Sequence, residues 1–232
     1  MINMYQTTTG KNETADNASV QAYKIIKQMI LEGKLDNGTV TSVAVLCKEI
    51  NLGRTPVTIA CQHLESEGFL TVIPKQGILI RSLSLTEAVE IYEFRSILEE
   101  YAAKKTFEAY DENDFENLQQ GFIRQSKAAA AGDNVSFMME DKIFHAYFVN
   151  KLGNRAIINS HALLYDRTFS TGVFNCKNVN RMMISINEHK MIIEALETRN
   201  YESFINNTRE HVLNGLNNLF ASYDSNINAS GK

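Results

Sequence analysis

From Ser84 to the C-terminus the chain has no proline, and apolar residues recur at three- and four-residue spacing almost throughout. That combination constrains the fold more than any other feature. A run of this length without a helix breaker, and without alternating apolar and polar residues, cannot be laid out as a sheet. The pattern predicts helices over about 84–108, 112–131, 134–151, 154–174, 180–198 and 201–223. They are separated by "YDEND", "AGDN", "LGN", "NCKNVN" and "TRNY". Such short breaks favour antiparallel neighbours, so the expected architecture is a bundle of about six helices.

The residues before Ser84 follow a different rule. Val20 to Leu31 carries Ala22, Ile25, Ile26, Met29 and Ile30 on one face, with Ser19 as its expected cap and Gly33 and Gly38 beyond its end. A second helix is expected over Ser42 to Ile50, followed by the turn "NLG". A third opens at "RTPV", read with Thr55 as N-cap and Pro56 at the first helical position, and stops at Gly68. Two extended pieces, "FLTVIP" and "GILIRS", flank "KQG" as a hairpin. Three helices, a tight turn between the second and third, and a hairpin describe a winged helix-turn-helix. The expected organisation is a polar tail over 1–17, the winged unit over 18–81, the helical domain over 82–223 and a second polar tail over 224–232. The chain as a whole is therefore expected to be mainly α.

Charge and cysteine usage narrow the function classes. The formal charge of −4 excludes a uniformly basic nucleic-acid protein. It is unevenly spread: residues 1–81 hold eight Lys/Arg against seven Asp/Glu, and residues 82–232 hold fifteen against twenty. A near-neutral first part leaves room for DNA binding there. Cys47, Cys61 and Cys176 are odd in number, widely spaced and set in helix-like patterns, as packed thiols of a reduced, cytoplasmic protein would be. No signal-peptide core and no apolar run of membrane-spanning length is present, so no membrane partner is expected.

At "LGRTPVTIACQHLESEGFLTVIPKQGILI" the chain resembles the GntR family of bacterial transcription regulators, over roughly residues 20–81. The turn, the "RTPV" helix start, the "LESEG" helix end and the "PKQG" wing fall in that family's order. The resemblance implies an operator-binding homodimer on double-stranded DNA. A helix opening with Arg-Thr-Pro can offer amides and hydroxyls to a phosphate, with its first turn in the major groove. Arg54 is then a phosphate or guanine contact. Thr55, Thr58 and Gln62 face outward toward base edges, and Lys75, Gln76 and Gly77 form the wing tip, where Gly77 lets the backbone approach a groove. Thr58 and Gln76 stand where the family pattern often has cations, which implies an altered operator sequence or weaker affinity.

The stretch "FMMEDKIFHAYF" sets a separate problem. Asp141 and His145 lie one turn apart on the same face as Phe137, Met138, Phe144 and Phe148. A carboxylate in an apolar stripe is costly unless paired, protonated or metal-bound. His189 shares a face with Ile186, Ile192, Ile193 and Leu196, and His211 with Phe204, Thr208 and Leu219. Taken singly, each histidine is an ordinary packed residue. Three helices that each aim such a group inward build metal sites in bundles. One carboxylate and three imidazoles suit a divalent first-row ion such as Zn²⁺, Ni²⁺ or Mn²⁺.

This spacing resembles the FCD ligand-binding domain of the FadR branch of GntR regulators, over about residues 84–220. Its metal-binding members carry "DxxxH", then "EH", then a further His in the last helix, matched in order by Asp141, His145, His189 and His211. "EFRSILEEYAAKK" is similar to its opening helix and "LGN" to its mid-domain turn. Arg95 faces inward with Ile91, Tyr92, Leu98 and Ala102. Its anion is either Glu99, one turn on, or, as the resemblance implies, the carboxylate of a small organic acid that also binds the metal. His161, inward with Ile157, Ile158, Leu164 and Tyr165, is pocket lining or packing. His63 has no assigned role.

Four functions fit these residues. The first is a regulator whose operator affinity is set by a small carboxylate effector bound at the metal. The second is a regulator for which the ion itself is the signal, and the third a bundle in which the ion only clamps helices. The last is a metalloenzyme, which lacks a further general base, nucleophile motif or phosphate loop, so no catalytic residue is assigned.

Overall fold

The computed structural model describes residues 9–176 and 179–230. Residues 1–8 and 231–232 of the two expected tails, and 177–178 of the "NCKNVN" break, lie outside the described residues. The chain divides into two compact units that meet between Ser82 and Leu83.

In the first unit α1 (Thr9–Leu31), α2 (Val43–Ile50) and α3 (Arg54–Ser66) surround an apolar centre, with strands β1 (Val40–Thr41), β2 (Leu70–Ile73) and β3 (Gly77–Ile80) at one side. Ala22, Ile26, Leu46, Val57, Ala60, Leu64, Leu70, Ile78 and Ile80 are all nearly inaccessible to solvent. Three details depart from the sequence reading. The first helix begins at Thr9, ten residues before the expected cap Ser19, because the polar stretch ahead of Val20 contains no proline to stop it. The third begins one residue before Thr55, with Gly53 as N-cap and Pro56 inside the first turn, where its missing N–H costs nothing. The hairpin gains a third strand: β1 pairs antiparallel with β3, in the order β1-β3-β2.

The second unit is a helical bundle: α4 (Leu85–Thr106), α5 (Glu112–Ala131), α6 (Asn134–Asn150), α7 (Arg155–Asn175), α8 (Val179–Glu197) and α9 (Tyr201–Ser230). All six expected helices are present, and a 3₁₀ turn over Phe107–Ala109 closes the first of them. The last continues to Ser230, so residues 224–230 of the expected tail are helical in backbone. Local chemistry accounts for the starts. Ser84 and Glu87 form a reciprocal capping box at α4, Asp111 and Asp114 another at α5, and Asp133 caps α6 by accepting from the Ser136 amide. Gly132 ends α5 with φ of 69°, a left-handed value that glycine adopts without strain.

One end of the bundle is an apolar cluster of Phe107, Tyr110, Leu118, Phe144, Phe148, Ile192, Leu196 and Phe204. Arg199 donates to the Tyr110 carbonyl at 2.7 Å and so ties the α8–α9 link to the 3₁₀ turn. Helix α4 packs on α9, α6 and α7, and α5 on α6 and α8. This arrangement brings every helix of the unit to a common centre, which is polar.

Candidate metal centre and nucleic-acid interface

The polar centre is built by facing helices. Asp141 and His145 come from α6, His189 from α8 and His211 from α9, and all four are buried. One ligand atom from each lies within 4.8 Å of all the others. His211 Nε2 is 3.1 Å from His145 Nε2 and 3.0 Å from His189 Nε2. Asp141 reaches His145 Nε2 at 3.6 Å and His189 Nε2 at 3.4 Å.

What surrounds the four fixes their protonation. His145 Nδ1 is 2.5 Å from Glu99 Oε2, and His211 Nδ1 is 2.7 Å from Glu188 Oε2. A carboxylate only accepts, so each Nδ1 carries the proton and donates it. His189 Nδ1 donates to Gln125 Oε1 at 2.7 Å, while the amide nitrogen of Gln125 donates to Asp141 Oδ1 at 3.0 Å. The Tyr165 hydroxyl donates to Asp141 Oδ2. In their neutral forms the three imidazoles therefore turn unprotonated Nε2 lone pairs on one another and on a carboxylate, with no donor between them. Such an arrangement repels itself unless a cation sits among the lone pairs. A support beyond each ligand that fixes its tautomer is the pattern of metal-ligating histidines.

The electrostatics agree. Burial, and then His211, pushes His189 well below the ordinary imidazole range, and burial also lowers His145 against the pull of Glu99. Burial opposes the charge on Asp141, but the three histidines and the Tyr165 hydroxyl outweigh it and hold the carboxyl down. Glu99 is likewise held well below the usual carboxylate range, with burial outweighed by His145 and Arg95. The shifts move His145 and His189 toward the neutral form and Asp141 toward the ionised form, the forms that bind a metal.

Arg95 is 4% exposed, and its Nε and a terminal nitrogen both donate to Glu99 Oε1, at 3.1 and 3.0 Å. Its guanidinium lies over the Tyr165 ring at 4.5 Å. Of the two anions considered for Arg95, the internal one is in place, and Arg95 also lines a cavity beside the histidines. The position of His161 is different. Its Nε2 meets Glu99 Oε1 at 3.0 Å, and it is not among the residues that line the cavity. Glu99 thus joins Arg95, His145 and His161 in one buried network.

The cavity has a volume of about 60 Å³, and Tyr92, Asp141, His145, Arg181 and His211 are among its walls. Two glycines keep it open. A Cβ on Gly215 would stand 2.7 Å from Tyr92 Cε1, and one on Gly172 would stand 2.5 Å from Met138 Cε.

Sequence reasoning missed Gln125, Glu188 as a partner of His211, and Arg181. Glu188 was visible as the residue before His189, but its contact is to the next helix. Gln125 sits in a polar helix face that looks solvent-exposed by composition, and Arg181 stands at the edge of a loop. None carries a periodic signal.

The proposed nucleic-acid contacts of the first unit are surface residues. Arg54, Thr55, Gln62, Lys75 and Gln76 are exposed, and Thr58 is half-buried with its hydroxyl donating to the Arg54 carbonyl at 2.9 Å. Lys75 adopts φ of 63° at the hairpin tip. Gly77 has a structural reason to be glycine beyond the groove approach expected for it: its φ is 128°, and a Cβ there would lie 2.4 Å from the Thr41 carbonyl oxygen of β1.

A winged helix-turn-helix followed by a helical domain with a polar, cavity-bearing centre is the build of a two-part DNA-binding regulator. Residues 18–80 match the family described as bacterial regulatory proteins, gntR family, and residues 90–214 match the FCD domain. The chain belongs to the GntR family of DNA-binding transcriptional regulators, with an FCD domain as its second part. It is 26% identical over 195 residues to an uncharacterized HTH-type transcriptional regulator, YdhC, of Bacillus subtilis, covering 84% of this chain and 85% of that protein. It is 23% identical over 136 residues to the gluconate operon transcriptional repressor of the same species, covering 59% of this chain and 55% of the repressor. Its fold matches that of Escherichia coli McbR/YncC with a TM-score of 0.79 at 19% identity, over 89% of this chain and 98% of that one. The matched families and relatives are regulators, not enzymes. Among the described residues no helix is long and apolar enough to cross a membrane.

Proposed function

We propose that the chain is a cytoplasmic, homodimeric regulator whose operator affinity is set by a small organic acid bound at a divalent metal in the helical domain. The observation that carries this reading is the convergence of three imidazole Nε2 atoms and Asp141, each imidazole oriented from behind by Glu99, Gln125 or Glu188. Asp141, His145, His189 and His211 hold the ion, which is Zn²⁺, Ni²⁺ or Mn²⁺. When bound, it supplies a Lewis-acidic anchor for a carboxylate.

The chain's own residues do the rest. Arg95 and His161 hold Glu99, which sets the tautomer of His145. Tyr165 and Gln125 hold Asp141 ionised and pointed at the histidines. The cavity beside the ligands gives an acid somewhere to sit, which a site sensing only the ion does not need. The acid acts on DNA only insofar as it binds one bundle geometry better than another. In the first unit Arg54 and Lys75 meet phosphates, Thr55, Thr58, Gln62 and Gln76 meet base edges or the groove, and Gly77 shapes the wing. Two such heads in a dimer read a near-palindromic operator.

A gel shift on the chain's own promoter region, with metal-loaded protein and a panel of small carboxylates, tests the reading. The expected result is a shift that at least one acid weakens or strengthens. No shift at low salt contradicts the DNA-binding assignment, and a shift that follows metal while ignoring every acid makes the ion the signal instead.

A further inference from the structure

Arg181 stands in the first turn of α8 and lines the same cavity as Arg95, His145 and His211. Its Nη1 is buried and has no hydrogen-bond partner. The carboxylate oxygen it pairs with, Glu188 Oε2, is 3.8 Å away, beyond hydrogen-bond reach. That oxygen already accepts from His211 Nδ1 at 2.7 Å, and the other oxygen of Glu188 accepts from Asn214 at 2.9 Å. Glu188 is therefore committed, and the Arg181 Nη1 donor is left without a hydrogen-bond partner in a side chain that forms part of the cavity wall. A helix N-terminus is also the wrong place for a cation, because the backbone dipole is positive there. An anion in the cavity would give the guanidinium the partner it lacks.

Charge and size narrow the anion further. Asp141, Glu99 and Glu188 carry three negative charges around the site, and Arg95 and Arg181 carry two positive ones. A divalent ion leaves a single positive charge over, which one carboxylate neutralises and two would overshoot. A cavity of about 60 Å³ admits only a few non-hydrogen atoms, since a water fills roughly 10–15 Å³ on the same measure.

We propose that Arg181 is the specificity-determining cation of the effector pocket, and that it selects a short monocarboxylate whose carboxylate or adjacent hydroxyl spans the metal and Arg181 Nη1. This inference rests on the metal-and-acid reading above and names the residue and ligand charge class that it leaves open.

The experiment is isothermal titration of metal-loaded full-length protein with acetate, propionate and lactate as monoanions, and with malonate and succinate as dianions. It compares wild type, Arg181→Met and Arg181→Lys, and measures metal content and acid-free melting temperature for each. Wild type is expected to bind at least one monoanion more tightly than either dianion. Arg181→Met should lose roughly 10- to 100-fold in that affinity, as for a lost hydrogen bond to a charged group, with Arg181→Lys recovering part of it. Metal content should be unchanged, and the acid-free melting temperature unchanged or higher, because an unsatisfied buried donor has been removed.

Equal affinity of wild type and Arg181→Met for the same acid overturns the role of Arg181 while leaving the metal reading intact. So does a lower acid-free melting temperature with unchanged affinity, which would mark a purely structural arginine. Tighter binding of malonate or succinate overturns the charge class. Wild type that holds metal but binds none of the acids overturns both this inference and the acid reading, and wild type that takes up no metal overturns the site itself.

Discussion

His145 Nε2 and His211 Nε2 face each other at 3.1 Å, and the opposite nitrogen of each ring is tied to its own carboxylate, Glu99 and Glu188. In the neutral rings, neither nitrogen of the facing pair carries a proton while those outer bonds hold. The two rings, stacked at 15° with centroids 5.0 Å apart, are positioned to share a ligand rather than to bond each other.

Replacing Asp141 and His145 together by alanine should remove bound metal while the chain stays folded. The pair lies on one helix and supplies two of four ligands, so the remaining His189 and His211 cannot hold an ion tightly. Elemental analysis after dialysis reads the metal, and circular dichroism with size-exclusion chromatography reads the fold. Unchanged metal content would refute the assignment.

Glu188→Gln tests the support behind His211 without touching a ligand. The amide still fills the space but accepts from Nδ1 as a neutral group, so the imidazole becomes a poorer donor to the metal. Loss of a supporting carboxylate of this kind typically weakens metal binding about 10–100-fold. Competition against a chelator of known affinity measures it, and an unaltered affinity would mean that Glu188 only packs.

Acidification should destabilise the metal-free protein before any carboxylate is protonated. His145 and His189 are both lowered by burial, so the folded chain takes up protons less readily than the unfolded one. Their contribution is fully present above the unfolded value of about 6.5 and is lost as pH falls below it. Melting temperature measured in steps from pH 8 to pH 5 should be level at first and then decline. A flat profile across that interval would argue that these rings are not buried neutral.

Gly215→Ala should damage the pocket more than Gly172→Ala, although both glycines line it. The new Cβ at Gly215 meets an aromatic ring atom of Tyr92 at 2.7 Å, whereas the one at Gly172 meets the mobile end of Met138 at 2.5 Å. Overpacking against a ring costs about 1–3 kcal/mol, and Tyr92 is itself part of the cavity wall. Thermal melts should show the larger loss for Gly215→Ala, accompanied by weaker acid binding at unchanged metal content.

In the first unit, Arg54→Ala should weaken operator binding. If Arg54 meets a phosphate, the loss is similar for all sequences and the salt slope falls by about 1; if it meets a guanine, it costs about 1–3 kcal/mol and relaxes one position. Gel shifts across a salt series on operator and scrambled DNA separate the two. No change in either would exclude Arg54 from the interface.

The helices were legible because their signal is local. Apolar spacing, the caps Ser84, Asp111 and Asp133, and the stop at Gly132 act within a turn or two of the residues that carry them. The strand Val40–Thr41 was not legible, since two residues hold no period and pair only because β3 offers a free edge. The start at Thr9 was missed for a related reason: polar sequence without a breaker permits a helix but does not announce one. The four-residue cluster was legible as types on inward faces. Its partners were not, because Gln125 is 64 residues from His189 and Glu99 is 46 from His145.

The sequence by itself determined a winged head, a six-helix domain and four inward ligand-type side chains, all properties of helical period and residue chemistry. Only the tertiary structure decided which atoms of those side chains meet. It turned three Nε2 lone pairs inward, paired Arg95 with Glu99 and left the Nη1 donor of Arg181 without a partner. Those outcomes depend on how helices far apart in sequence pack, and side-chain direction across a bundle is written in the packing rather than in any one helix.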